Sequence, residues 1–529
     1  MAKVISAQEA AKLIHDGDTV ASAGMGIMGL CEEVIRAAEQ EFLESGHPNN
    51  LTLFYGAHQG DNPIVKYGWD RWAHDGMLKR WIGGFLGASP KIGQLCRENK
   101  IEGYCLPMGV INQMFHEVAG HTPGLITKIG LKTYVDPRLE GGKVNEAAKE
   151  DIVKLIEMEG EEWLFYKKPN LNVGLIRGTT IDTQGNLTVS EECINSDALA
   201  VARAVKNSGG IVIAQAKYLA KAGTLHPREI HIPGVLVDYI VISDPASDSH
   251  YQTVDVYYDP TLCGNVKANM SALPELPLKD SKVIARRAAM EMEAGAAVNL
   301  GIGIPQMIAL VAVEEDVNDY FTLTSESGII GGIAVQGKNF GSCYNPACYM
   351  DQDIQLNWYS GGGLGVAFLG LAETDTAGNV NVSKFGVKLN GPGGFIDITQ
   401  PTKKVVFCGS FTAGKLMTEI KDGKLVITQE GRSHKFVNQV QQVTFSGDYA
   451  VESGQEVLYI TERAVFRLTS GGMELTEIAP GVDLERDILS QMDFKPLISP
   501  DLKEMDSFLF EEKWGGLREY LEKKAGQEE

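Results

Sequence analysis

Cysteine is scarce in this 529-residue chain: there are eight, at positions 31, 96, 105, 193, 263, 343, 348 and 408. None forms a CxxC pair, which argues against a zinc ribbon or a thioredoxin-type site. Buried free thiols are the expected state, even for the nearest pair, Cys343 and Cys348. No HxxxH or HExxH spacing occurs, so structural histidines are expected and no metal. A G-x-S-x-G nucleophile elbow is also missing. Long apolar runs are missing too. The longest, Ala296 to Val313, is broken by Asn299, Gly301, Gly303, Pro305 and Gln306, and reads as strand, turn and helix rather than a membrane span. The opening MAKVISAQEAAKLIHDGD reads as an amphipathic helix and a turn, not a secretory signal. A soluble, cytoplasmic protein with no membrane partner is expected. Positive charge is in deficit, with 48 Lys and Arg against 69 Asp and Glu, a net charge of −21. Such a surface repels nucleic acid and anionic membranes, and leaves room only for a local basic pocket around a small phosphorylated ligand.

Glycine is abundant, at 59 residues, and 44% of the chain is hydrophobic. Large cores with many tight turns follow. Two passages recur. Strand Thr19–Ala23 runs into Gly24-Met25-Gly26 and a helix from about Cys31; strand Ala297–Leu300 runs into Gly301-Ile302-Gly303 and a helix after Pro305. The turn Asp182-Thr183-Gln184-Gly185-Asn186 returns as Asp375-Thr376-Ala377-Gly378-Asn379, an offset of 193 from Asp182 to Asp375. Asp opens such a turn and Gly-Asn supplies positive φ. Duplication explains both echoes. The first half then carries an insert, expected to hold the Trp69, Trp72 and Trp81 stretch and an acidic helix around Lys149 to Glu161. A proline-containing spacer, Met270 to Lys279, divides domains at 1–275 and 280–529. Each half alternates strands and helices, so each should be an α/β unit with a mainly parallel sheet. The tail from Leu502 to Glu529 reads as a charged surface helix that frays.

The segment Thr324-Ser325-Glu326-Ser327-Gly328 carries the leading candidate for chemistry. Tyr320 to Thr324 reads as a buried strand, and glycines after Glu326 allow close approach of a substrate. Two readings stand at this point: a nucleophilic carboxylate, or a turn glutamate with its head in water. The G-x-G-x-x-G run at Gly24 to Gly29 follows a strand, but no acidic ribose partner stands at a strand end. A backbone cradle for another phosphate-bearing or acyl ligand suits the G-x-G turns better. The Gly391-Pro392-Gly393-Gly394 turn is either an ordinary reverse turn or a place where glycine amides point at a ligand.

Several long segments together resemble the family I coenzyme A transferases, over nearly the whole chain. They are LGIGIP (300–305), Thr324 to Gly332, SGGGLGVAFLGLAE (360–373), NVSKFG (381–386), GPGGFIDI (391–398), FCGSFTAG (407–414), IGLKTYVDPRLEGG (129–142) and Pro227 to Asp238. The likeness is greatest to the single-chain, short-chain acyl branch typified by propionate CoA-transferase. It implies two related α/β domains fused in one chain, with the active site between them. Glu326 would be the nucleophile that becomes a glutamyl-CoA thioester in a ping-pong exchange. Each tetrahedral intermediate carries an oxyanion that needs fixed donors about 3 Å away, and losing one costs about 3–4 kcal/mol of barrier. The amides of Gly393 and Gly394 fit that task, Gly394 foremost, and Gln113 resembles a first-half side chain that reaches the carboxylate. Gly301 and Gly303 resemble the CoA-binding stretch; Lys384 and Lys415 are candidate phosphate partners. Acyl-CoA and a carboxylic acid of acetate or propionate size would be the substrates. No cofactor would be permanently bound, and a homo-oligomer is implied. Two alternatives remain: an acyl-CoA hydrolase, and a non-enzymatic ligand-sensing module on the same fold.

Overall fold

The computed structural model describes residues 2–61, 63–269 and 275–528. The Met270–Pro274 part of the expected spacer lies outside the described residues. The chain packs as two compact units. One comprises Met1–Ala268, Glu326–Trp358 and Val387–Asp397; the other comprises Asn269–Ser325, Tyr359–Gly386 and Ile398–Glu529. Chain order alone therefore does not define them. Glu326 and the glycine turn at 391–394 fall in the second half of the sequence, yet they pack in the unit built mostly from the first.

The first unit is organised by a fully parallel eight-stranded sheet. Its strands are β1 (Lys3–Ile5), β2 (Thr19–Ser22), β3 (Leu51–Tyr55), β4 (Leu78–Gly83), β5 (Glu102–Cys105), β6 (Val173–Asp182), β7 (Ile211–Ala220) and β8 (Tyr239–Ile242), in the order β1-β8-β7-β6-β2-β3-β4-β5. Near-continuous apolar strands such as LTLFY at 51–55 suit a sheet covered on both faces. Helices α1 (Glu32–Ser45), α2 (Met108–Ala119) and α3 (Ala198–Asn207) belong to the same unit. The second unit holds β9 (Ala297–Leu300), β10 (Thr322–Ser325), β11 (Val366–Gly370), β12 (Lys404–Cys408), β13 (Glu456–Ile460), β14 (Ala464–Thr469), β15 (Gly472–Ile478) and β16 (Leu497–Glu504). Their order is β10-β9-β11-β12-β13-β14-β15-β16. Pairing is parallel from β10 to β13, antiparallel across β14, and parallel again between β15 and β16.

Strand register carries the duplication further than the motifs do. Ile211 pairs with Val173 in the first unit, and Lys404 with Val366 in the second. Both partners are displaced by the same 193 residues that separate the two D-T-x-G-N turns. Those turns share a hydrogen-bond pattern. Asp182 accepts from the Gln184 and Asn186 amides and the Asn186 side chain, and Asp375 from those of Ala377, Asn379 and the Asn379 side chain.

Five local expectations change. The stretch at 149–161 is not an acidic helix: Val153–Met158 and Glu161–Lys167 form an antiparallel hairpin. Glu159 (φ 54°) and Gly160 (φ 80°) supply the paired positive φ values of a two-residue hairpin turn. The strand before Glu326 covers Thr322–Ser325, and only Thr324 in it is buried. The tail helix is docked through buried side chains. Helix α4 (Leu517–Glu528) buries Leu517 and Leu521, one helical turn apart, in the second unit's core. The opening residues begin as strand β1 and only then form a short helix, Ala7–Ala11, held by a Ser6–Glu9 capping box. Cys343 is buried but Cys348 is exposed. Among the described residues, no helix is long and apolar enough to cross a membrane.

Candidate active site

Glu326 is the first residue after β10, and the chain is then turned sharply. Ser327 Oγ donates to the Gly341 carbonyl at 2.6 Å. Gly328 takes φ 98°, and the Met350 amide donates to its carbonyl at 2.7 Å. A Cβ at Gly328 would overlap the Met350 carbonyl oxygen, so only glycine fits there. Ile329–Ile330 then pairs antiparallel with Cys348–Tyr349. The nucleophile candidate thus stands on a turn fixed on both sides.

The Gly391–Gly394 turn is held in the same unit. Its Gly393 N–H donates to the Gly84 carbonyl at 2.8 Å, and the Gly393 carbonyl accepts from Met108 N–H, the first residue of α2, at 2.9 Å. Gly393 was expected to offer its amide to a ligand; that amide is already engaged. The Gly394 N–H has no partner among the described residues. Phe85, partly exposed, lies against this turn and meets His58 edge-to-face at 6.0 Å. Gln113 sits on α2 and is 8% exposed, so it is not a surface-helix glutamine. It accepts from Asn357 Nδ2 at 3.3 Å.

Burial raises several carboxyls in this unit, Asp197 to about 7 among them, and two of them, Glu326 and Asp397, lie in the segments just described. Burial pushes Glu326 up to about 7 from an ordinary 4.5. Burial also pushes Asp397 up to about 7; the Gly109 N–H works against this, and the charge of Glu326 adds to it. A carboxyl raised by burial, with a second carboxyl acting on it, marks a functional-site candidate.

A model of the family described as Coenzyme A transferase matches residues 4–243. Caffeate CoA-transferase of Acetobacterium woodii is 52% identical over 522 residues, 98% of this chain and 99% of that protein. Acetate CoA-transferase YdiF of Escherichia coli is 46% identical over 509 residues, 96% of this chain and 95% of that protein. The chain belongs to the family I coenzyme A transferases. A crystal structure of the Escherichia coli acyl-CoA transferase YdiF, described as a thioester complex with CoA, superposes with a TM-score of 0.91 at 43% identity and covers 97% of each chain.

The first repeat has no carboxylate at the position that matches Glu326. Leu53 pairs with Val20 as Leu323 pairs with Val298, so the first-repeat counterpart of Glu326 is Gly56. A Cβ at Gly56 would overlap the Asn112 side-chain oxygen. Asn112 is fully buried, and neither of its amide atoms has a partner among the described residues. In the second unit, Gly301 N–H donates to the Phe368 carbonyl at 2.8 Å. Gly303 (φ 90°) faces open space and precedes helix Ile304–Glu314, and Ile302 is exposed. Lys384 is partly exposed beside Asn381, whose Nδ2 donates to the Lys384 carbonyl at 2.7 Å; Lys415 is exposed. The turn at Gly24–Gly29 is no phosphate cradle. Met25 and Met28 exchange backbone hydrogen bonds at 2.9 Å, Gly24 N–H donates to Asp197, and Gly26 N–H donates to the His58 carbonyl. Sequence reasoning missed Asp397 and Asn112. The only signal for Asp397 was its place three residues after Gly394.

Proposed function

We propose that this transferase moves CoA between an acyl-CoA and a carboxylic acid through a glutamyl-CoA thioester on Glu326. The observation that carries the proposal is the desolvated Glu326 carboxyl on its fixed turn, in the unit that also holds Gly394 and Gln113. The relative whose structure is described as a CoA thioester complex supports it. The carboxylate attacks the thioester carbonyl, the C–S bond breaks, and the thiolate leaves with the electron pair. An acyl-glutamyl anhydride remains. The thiolate then attacks the glutamyl carbonyl, and the first acid leaves as its carboxylate. A second acid runs the steps in reverse. The Gly394 N–H is the proposed oxyanion donor, Gln113 the side chain that reaches the reacting carboxyl, and Gly301, Gly303 and Lys384 the CoA contacts. Thioester energy is conserved throughout, so the reaction needs no metal and no permanently bound cofactor.

The acceptor proposed is an acid of acetate or propionate size, in keeping with the acetate-named relative. The 52% identical relative is named for caffeate, and Phe85 lies partly exposed at the 391–394 turn; these favour a second reading, an aryl-substituted acid. Comparing kcat/KM for acetate, propionate and a cinnamate-type acid decides between them. A cytoplasmic homo-oligomer is proposed, with native mass as its test. For the reaction itself, E326A should abolish acyl exchange while acyl-CoA still binds. The wild type should turn over no acyl-CoA without an acceptor acid. Exchange that persists in E326A, or hydrolysis as fast as transfer, contradicts the proposal.

A further inference from the structure

We infer that Asp397 is a positioning residue for this reaction: its buried carboxyl ties the Gly394 turn to the helix that carries Gln113, and does so as the neutral acid. The inference rests on the reading of Glu326 as the nucleophile.

Helix α2 starts after Pro107 with no side-chain cap of its own. Its first amides are answered by the 393–397 segment instead. Met108 N–H donates to the Gly393 carbonyl, and Gly109 N–H to Asp397 Oδ2, each at 2.9 Å. An acidic group at a helix start is favourable. Gly109 makes room for it: a Cβ there would stand 2.6 Å from Asp397 Oδ1. The donor turn and the Gln113 helix are thereby joined at two points.

The other oxygen, Oδ1, is buried and has no partner among the described residues. Ionising the group would bury a charge with that oxygen unpaired, which costs more than burying the neutral acid. The charged and titratable neighbours agree. Glu326 is the charge that acts on Asp397. Tyr166 donates its hydroxyl to the Ile129 carbonyl and is held far above its ordinary range, so it stays neutral. His116, further along α2, is paired with Asp353 at 2.7 Å. No cation among these neighbours compensates an ionised Asp397, and burial pushes its carboxyl up to about 7. Ionising Asp397 would place a negative charge three residues along from the Gly394 N–H, the proposed oxyanion donor, and slow the attack.

The test is the pH dependence of kcat/KM for acyl-CoA from pH 5.5 to 9 in the wild type, Asp397→Asn and Asp397→Ala. Asn keeps an acceptor for Gly109 N–H, puts an N–H where the acid has its O–H, and cannot ionise. The wild type should lose rate on both sides, with the alkaline limb approaching a tenfold fall per pH unit. D397N should keep the acid limb and lose the alkaline one, while D397A should be slower at every pH. A purely structural role predicts a uniform drop in D397N with the alkaline limb intact, and that result overturns the inference. If D397N does not fold, infrared spectra of 13C-aspartate-labelled wild type must show a protonated-carboxyl band at pH 6 that disappears by pH 9; its absence overturns the inference equally. A wild type that forms no CoA adduct on Glu326 would instead refute the reading beneath it.

Discussion

Replacing Glu326 with Gln removes a carboxyl that folding holds up to about 7 against an ordinary 4.5. Between those values the native state keeps a proton that the unfolded chain has released, so native stability falls as pH rises through that window. Below it both states are protonated and nothing is lost; above about 7 the full penalty stands. The gap corresponds to at most ~3 kcal/mol. The partial exposure of the residue lowers this to roughly 1–2 kcal/mol. Gln escapes the penalty and also relieves Asp397, whose carboxyl is raised in part by the Glu326 charge. E326Q should therefore melt about 1–3 °C above the wild type at pH 8 and level with it at pH 5. Paired thermal scans at one scan rate are the appropriate assay, because a chain of two compact units gives apparent midpoints. An offset equal at both pH values, or a less stable variant at pH 8, refutes the desolvation argument.

Two further substitutions probe the frame. Gly328→Ala combines a φ of 98° with an overlap against Met350. It should cost about 2–4 kcal/mol and drop kcat more than tenfold with circular dichroism unchanged; wild-type kcat would show that the turn does not place Glu326. Leu517→Ala opens a cavity in the second unit's core and should destabilise by about 2–4 kcal/mol in urea denaturation. A loss under 0.5 kcal/mol would mean that the tail helix is only loosely docked.

The duplicated architecture was legible because its signals are local. A turn that needs Asp at one end and positive φ at the other leaves the same letters at 182–186 and 375–379, and the pairing register follows them. The place of Glu326 at the end of a strand was legible because a run of β-branched and aromatic residues gives way there to glycines. The hairpin at 153–167 was misread because its charged residues suggest a helix, while its alternation and the Glu159-Gly160 turn suggest strands. The tail was misread because two leucines among many charges look like a frayed surface helix until a core is present to receive them. The difference between Gly393 and Gly394 lies in one hydrogen bond to Gly84, some 300 residues away in sequence. Asp397 is equally silent, because its partner Gly109 is 288 residues distant.

The central claim is a covalent one, and intact-mass measurement tests it most directly. Treated with acyl-CoA and no acceptor acid, the protein should gain the mass of CoA less one water. Borohydride reduction and peptide mapping should then place the change on the peptide that carries Glu326. A modification on any other peptide, or no mass change while exchange activity is intact, would contradict the account.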